Sequence, residues 1–285
     1  MHQRGTKKTK FYVLIFLKGQ VWRVDLATKE KHIWIDLTEE VCGSGDRGML
    51  GITTNPNFQA TPFVFLLYSV DPIYGEPDEP MEDAVNQRVV RYTDKDGMAD
   101  AASRLAILGG GEADGIPICF NTHAIGSIKF GHDGSLLITG GEGSHWDFDL
   151  GDFGQNQIPT DSQCEDMFGA VQDVGSFRSQ IHESLGGKLL RIDPGTGQGI
   201  CQGSGFPVKN PFCDGNADSP ASKIWATGLR NPFRMNVKPY EQGDDPQGPG
   251  VVYFGDVGEG GYEEVNAVTE AGQNFGIMNF QRIFS

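Results

Sequence analysis

Asn121-Thr122-His123-Ala124-Ile125-Gly126-Ser127-Ile128-Lys129-Phe130-Gly131-His132-Asp133-Gly134-Ser135-Leu136-Leu137-Ile138-Thr139-Gly140-Gly141-Glu142-Gly143 holds the pattern that decides the fold. A polar cluster leads into an apolar alternation from Ile125, Asp133-Gly134 makes a turn, and a second apolar run from Ser135 to Gly140 ends in glycines and a carboxylate. The same order occurs twice more. Asp46-Arg47-Gly48 precedes the run from Met49 to Pro56, and Arg230-Asn231-Pro232 precedes the run from Phe233 to Pro239. Second strands follow at Phe63 to Ser69 and at Val251 to Gly255. Third strands resemble one another: Arg88-Val89-Val90-Arg91-Tyr92-Thr93, Lys188-Leu189-Leu190-Arg191-Ile192-Asp193 and Glu263-Glu264-Val265-Asn266-Ala267-Val268. Fourth strands close two copies, at Arg104 to Leu108 and Lys223 to Thr227. A repeated unit of four short strands with turn residues between them is the sequence form of a β-propeller blade.

Strand direction then places the polar clusters. When neighbouring strands of a blade are antiparallel, the link into the first strand and the link from the second to the third open on the same face of the wheel. All three clusters therefore meet at one mouth, together with Gly141-Glu142-Gly143 and Asp256-Val257-Gly258-Glu259. Singly, His123 and Arg230 read as ordinary loop residues satisfied by nearby backbone. Gathered at one rim with an amide and carboxylates, they read as a concave ligand site.

With 40 Gly and 15 Pro in 285 residues and 38% hydrophobic residues, the chain reads as loop-rich and all-β, and no segment reads as a long amphipathic helix. Its 23 basic and 38 acidic residues give −15, which argues against a nucleic-acid partner, whose phosphates need a basic footprint. Near the N-terminus, Phe11 to Leu17 is apolar behind Arg4, Lys7, Lys8 and Lys10. It lacks a small-residue cleavage site and is too short to span a bilayer, so no integral membrane segment is expected. The run fits a second blade strand, because Gln20 to Asp25 repeats the third-strand pattern and His32 to Leu37 supplies a fourth. The chain is therefore expected to be one domain over residues 1–285, an incomplete propeller of about four blades that begins and ends inside a blade. Five cysteines, Cys42, Cys119, Cys164, Cys201 and Cys213, form no close metal-type pair. Cys201 and Cys213 flank a Gly- and Pro-rich loop, which suits a disulfide in an oxidising compartment or two buried thiols in a reducing one. The long connection from Ser144 to His182 is expected to overhang the mouth.

Five ordered motifs between residues 47 and 276 resemble the soluble quinoprotein glucose/sorbosone dehydrogenases. They are Arg47 to Ile52 with Asn55-Pro56-Asn57-Phe58; His123 to Gly134; Ser184 to Pro194; Ile224 to Arg234; and Gly255-Asp256-Val257-Gly258 continuing through Glu263 to Asn266 and on to Asn274-Phe275-Gly276. The resemblance implies a six-bladed propeller. It also implies oxidation of the anomeric hydroxyl of an aldose sugar, with hydride passing to pyrroloquinoline quinone held beside calcium. His123 matches the general base of that family, a role suited to a group that titrates near working pH. Glu142 stands where the family usually has the aspartate that orients the histidine. Arg230 and Asn231 match the pair that contacts the cofactor, Asp46 matches a polar residue over it, and the carbonyls of Gly258 and Glu259 match the calcium position. Extracellular or secreted residence, periplasmic in a bacterium, is a further implication of family and cysteines.

Two departures bear on this reading. Phe275 replaces a tyrosine that some members place near calcium, and the lysine and further arginines that the family draws from its last blades have no counterpart before residue 285. A second class of function therefore stands beside the enzyme: a secreted, non-catalytic binding propeller of the hedgehog-interacting-protein type. The joint occurrence of His123, Glu142, Arg230 and Asn231 favours the enzyme, since a binding module has no chemical need for a base, its orienter and an anion clamp.

Overall fold

Runs such as Phe63-Val64-Phe65-Leu66-Leu67-Tyr68-Ser69 bury side chains on both faces, which requires a sheet covered on both sides. In the computed structural model, which describes residues 10–15, 19–70, 84–144, 163–241, 247–258 and 263–276, these runs form four antiparallel sheets with their strands in chain order. The first sheet is β1 (Lys10–Ile15), β2 (Gln20–Asp25) and β3 (Lys31–Asp36). The second is β4 (Met49–Thr54), β5 (Phe63–Ser69), β6 (Val85–Lys95) and β7 (Met98–Leu108), and β8 (Ile116–Ile118) pairs with the start of β6. The third is β9 (Gly126–Phe130), β10 (Leu136–Gly140), β11 (Lys188–Ile192) and β12 (Ile224–Thr227). The fourth is β13 (Pro232–Val237), β14 (Val252–Asp256) and β15 (Glu264–Val268).

The sheets stack face to face in sequence, and strand alternation sorts each residue into one of three cores. Val21, Trp34, Met49, Val64, Leu66, Tyr68, Val90 and Tyr92 fill the space between the first and second sheets. Phe65 and Leu67 point the other way and meet Ile128, Leu136, Ile138, Leu190 and Ile192 of the third sheet. Leu137 and Leu189 turn toward Met235, Val252, Phe254 and Val268 of the fourth. The first strands lie side by side. A Cβ on Gly51 of β4 would stand 2.9 Å from Ile128 Cγ2 of β9, so a side chain at position 51 would push these strands apart. On the other flank of β9, Met235 N donates to Ser127 Oγ at 3.2 Å.

Among the described residues the four strand groups read from the sequence are present as sheets, the first and the last each of three strands. Two features differ. β7 begins at Met98 rather than Arg104, because Asp96 and Gly97 (φ 53° and 93°) make a tight hairpin that lets β6 run on to Lys95. β8 is a three-residue strand with no run long enough to read. The α-helices among the described residues are short, α1 (Gln163–Phe168) and α2 (Pro220–Lys223).

Cys201 and Cys213 are bonded, as the loop between them allows. A second bond, Cys119–Cys164, ties α1 to the segment that enters the His123 cluster, and Cys42 lies buried outside both disulfides, its Sγ 3.9 Å from Arg47 Nη1. Cys119 and Cys164 are 45 residues apart, so closing that loop in the unfolded chain is entropically costly. Replacing both by Ser is expected to lower unfolding free energy by about 2–4 kcal/mol. Denaturant titration checks it, and an unchanged midpoint would contradict the pairing.

Candidate functional site

Asp46, His123 and Asn231 lie in the loops that lead into three sheets and meet at one carboxylate. Asp46 Oδ2 accepts the His123 backbone N–H at 3.0 Å and the Asn231 side-chain amide at 3.2 Å. Asn231 Oδ1 in turn accepts the Ile125 N–H at 3.2 Å. The polar clusters that precede β4, β9 and β13 are thus joined into one rim.

His123 holds φ 51°, a left-handed conformation uncommon for a residue with a side chain and typical of functional positions. The glycine after β10 makes this geometry possible: a Cβ on Gly141 would lie 1.9 Å from the His123 carbonyl oxygen. Gly141→Ala is therefore expected to cost about 1–3 kcal/mol of stability through overpacking, read from a urea melt. A melt like that of the wild type would show that the two segments are not in such close approach.

The side chain of His123 is buried, and its Nδ1 lies 2.6 Å from Glu142 Oε1. Glu142 is fully buried, and its other oxygen accepts the Ser144 N–H at 2.9 Å. Burial alone would raise its carboxyl, but the neighbouring imidazole, Arg230 and the Ser144 amide outweigh it and leave the group below the usual carboxylate range. A carboxylate on Nδ1 fixes the tautomer that leaves Nε2 to accept a proton. Among the described residues no group hydrogen-bonds Nε2.

Arg230 stands on the same rim. Its Nη1 donates to the carbonyls of Val257 at 3.1 Å and Gly258 at 3.4 Å, so two hard oxygens converge on one cationic nitrogen. Its backbone is anchored separately, since Asp256 accepts the N–H of Arg230 at 3.0 Å and of Asn231 at 2.6 Å. Burial is the main force that pushes the Asp256 carboxyl up to about 6, against the pull of those two amides. Asp256 ends β14, and its place at the mouth was readable from the strand pattern, although its role as the anchor of Arg230 and Asn231 was not.

The candidate residues thus fall into one group: His123 with Glu142, Asp46 beneath His123 and Asn231, and Arg230 over Gly258. Glu259 lies outside the described residues. Phe275 packs edge-on against Phe254 at 5.7 Å between ring centres. Of the long connection after Ser144, residues 145–162 lie outside the described residues. The remainder docks on the Glu142 segment through Arg178, a fully buried residue that the sequence did not single out. Among the described residues no cluster of His, Cys, Asp and Glu side chains has the makings of a metal site, and no helix is long and apolar enough to cross a membrane.

This donor set fits a carboxylated quinone with a hard cation in kind. It offers a planar guanidinium and an amide for anionic or quinone oxygens, and carbonyl oxygens that already converge on a positive charge.

The family model described as glucose/sorbosone dehydrogenase matches residues 13–281. Among solved structures, the PQQ-bound form of aldose sugar dehydrogenase from Streptomyces coelicolor aligns with a TM-score of 0.57 at 23% identity, covering 94% of this chain and 58% of that one. The apo form of the soluble aldose sugar dehydrogenase from Escherichia coli aligns with a TM-score of 0.56 at 18% identity, covering 95% and 60%. These likenesses carry the fold, an all-β propeller. Two curated relatives from Arabidopsis thaliana are similar in sequence: HIPL2 protein, 26% identical over 92% of this chain, and HIPL1 protein, 25% identical over 85%. The chain spans 36% and 34% of their respective lengths.

Proposed function

The chain belongs to the glucose/sorbosone dehydrogenase family, and from that premise we propose that it serves the oxidation of an aldose sugar at its anomeric hydroxyl, with His123 as general base. The observation that carries the reading is the buried His123–Glu142 pair at 2.6 Å on the same rim as Arg230. A carboxylate on Nδ1 holds the imidazole in the tautomer whose Nε2 takes up a proton and stabilises the charge that results.

Arg230 and Asn231 would hold pyrroloquinoline quinone, and the carbonyl of Gly258, with that of Glu259, would hold calcium. Once bound, the quinone supplies the acceptor for the hydride that leaves the anomeric carbon. Nε2 of His123 receives the hydroxyl proton as that carbon is oxidised. Glu142 keeps the ring in the orientation that this transfer needs and offsets the positive charge that develops on it. Burial of the pair excludes water, so the attraction between carboxylate and imidazolium is weakly screened. Asp46 fixes the backbone of His123 from below and the amide of Asn231 from the side, so one carboxylate sets the spacing between base and cofactor contact.

Two disulfides accord with an oxidising compartment and support residence outside the cytosol. Those staples, together with the likeness to the HIPL proteins, also support a second reading, a secreted binding propeller without catalysis. One experiment separates the two. The chain is incubated with the quinone and calcium and gel-filtered. Quinone absorbance retained on the protein is then measured, along with reduction of an artificial dye by a panel of aldoses. Retained quinone with calcium-dependent dye reduction is expected; the absence of both would leave the binding propeller.

A further inference from the structure

Glu142 lies between Gly141 and Gly143, and two flanking glycines give the main chain little conformational preference of its own, so its course is set by hydrogen bonds. Yet its carboxylate must sit within 2.6 Å of His123 Nδ1. The N–H groups of this segment are anchored within the propeller: Gly141 to Ile125 O at 3.0 Å, Glu142 to Arg230 O at 2.9 Å and Gly143 to His123 O at 3.0 Å. The carbonyl of Glu142 has a different partner. Arg178 Nε donates to it at 2.7 Å, and Arg178 Nη2 donates to the Gly143 carbonyl at 2.9 Å.

Arg178 belongs to a 3₁₀ turn (Gly175–Ser179) in the connection between β10 and β11. Its remaining nitrogen, Nη1, donates to Gln172 O at 2.6 Å and contacts Cys164 Sγ at 3.6 Å. The guanidinium is thus shared between the Glu142 segment and a loop that the Cys119–Cys164 bond fastens to the entry of the His123 cluster. Lys188 Nζ, also fully buried, donates to the carbonyl of Arg178 itself. A fully buried guanidinium is costly unless its donors are used, and here they are used on main-chain carbonyls at the orienting glutamate.

We infer that Arg178 is a positioning residue for the proposed reaction, acting through Glu142: it pins the Glu142-Gly143 main chain to the disulfide-fastened connection and thereby sets the carboxylate against His123. The inference rests on the reading of His123 as the base, but the contact itself is measurable without turnover. Burial lowers the guanidinium to about 10, which leaves it charged at neutral pH.

The test is proton NMR of the full chain without cofactor. The short Nδ1–H···Glu142 hydrogen bond is expected to give a resonance far downfield of the amide envelope, assigned by its loss in Glu142→Gln. Arg178→Gln is expected to abolish it. Arg178→Lys keeps a charge but not the two-pronged grip on adjacent carbonyls, so it is expected to retain the resonance at a displaced position. In the cofactor-loaded protein, Arg178→Gln is expected to lower kcat by about 10–100-fold with KM for the sugar little changed, as for a misplaced catalytic group. A resonance at the wild-type position in Arg178→Gln overturns the inference, and so does its absence from the wild-type protein. Should Arg178→Gln not fold, Arg178→Lys decides: a displaced resonance supports the role and an undisplaced one rejects it. Loss of the whole enzyme reading would appear separately, as a wild-type chain with the resonance and no dye reduction.

Discussion

His123→Ala is expected to lower turnover of aldose oxidation by about 10²–10⁴-fold, the range over which a positioned general base contributes. His123 is a buried imidazole with a carboxylate on Nδ1. Alanine removes the acceptor and leaves the hydroxyl proton to water, which the buried pair keeps away. Affinity for the quinone should change much less, because Arg230 and Asn231 are anchored through Asp256 rather than through the imidazole. Glu142→Gln separates base from orienter: it keeps a hydrogen-bonding group beside Nδ1 but removes the charge, so turnover should fall while quinone binding persists. Steady-state dye reduction with saturating quinone and calcium measures both variants. Wild-type turnover in His123→Ala would remove His123 from the mechanism.

The strand groups were legible because their signals are local. Alternation, glycine turns and repeated polar openings each lie within a dozen residues, and closure of the mouth follows from antiparallel order alone. The meeting of Asp46, His123 and Asn231 was therefore predictable as a neighbourhood. Their sharing of one carboxylate oxygen was not, since hydrogen-bond partners 77 and 185 residues apart leave no spacing to read. β7 was half read for a different reason. Met98 is exposed and the residues after it, Ala99 to Ser103, are small or polar and none is buried, so they show no apolar period, and only Asp96-Gly97 marks the hairpin. Cys119–Cys164 was illegible because five cysteines admit many pairings, whereas Cys201–Cys213 closes a short loop that the sequence displays. Arg178 looked like any charged residue in a connection; its burial depends on a loop folding back over Glu142, which no periodicity encodes.

Arg230→Ala is expected to weaken quinone binding by roughly 2–5 kcal/mol, the cost of leaving a buried anionic partner unpaired. The argument begins with the backbone. Asp256 accepts the amides of both Arg230 and Asn231, so truncation at Cβ removes the guanidinium without releasing the rim, and Asn231 should stay bonded to Asp46. The loss is therefore chiefly one of charge and geometry. The guanidinium donates to Val257 O and Gly258 O, and Arg230→Ala also withdraws the positive charge that faces those carbonyls. Calcium has a reason to take that place, since hard oxygens favour it, so high calcium should offset part of the effect at the carbonyls and none of it at the cofactor's anionic groups. Arg230→Lys should recover only part of the affinity, because an ammonium is a point charge and cannot make the paired contacts of a planar fork. Titration of quinone into the three proteins at fixed calcium gives the ranking wild type, then lysine, then alanine. Equal affinities across the series, with thermal melts confirming that each variant is folded, would reject Arg230 as the clamp.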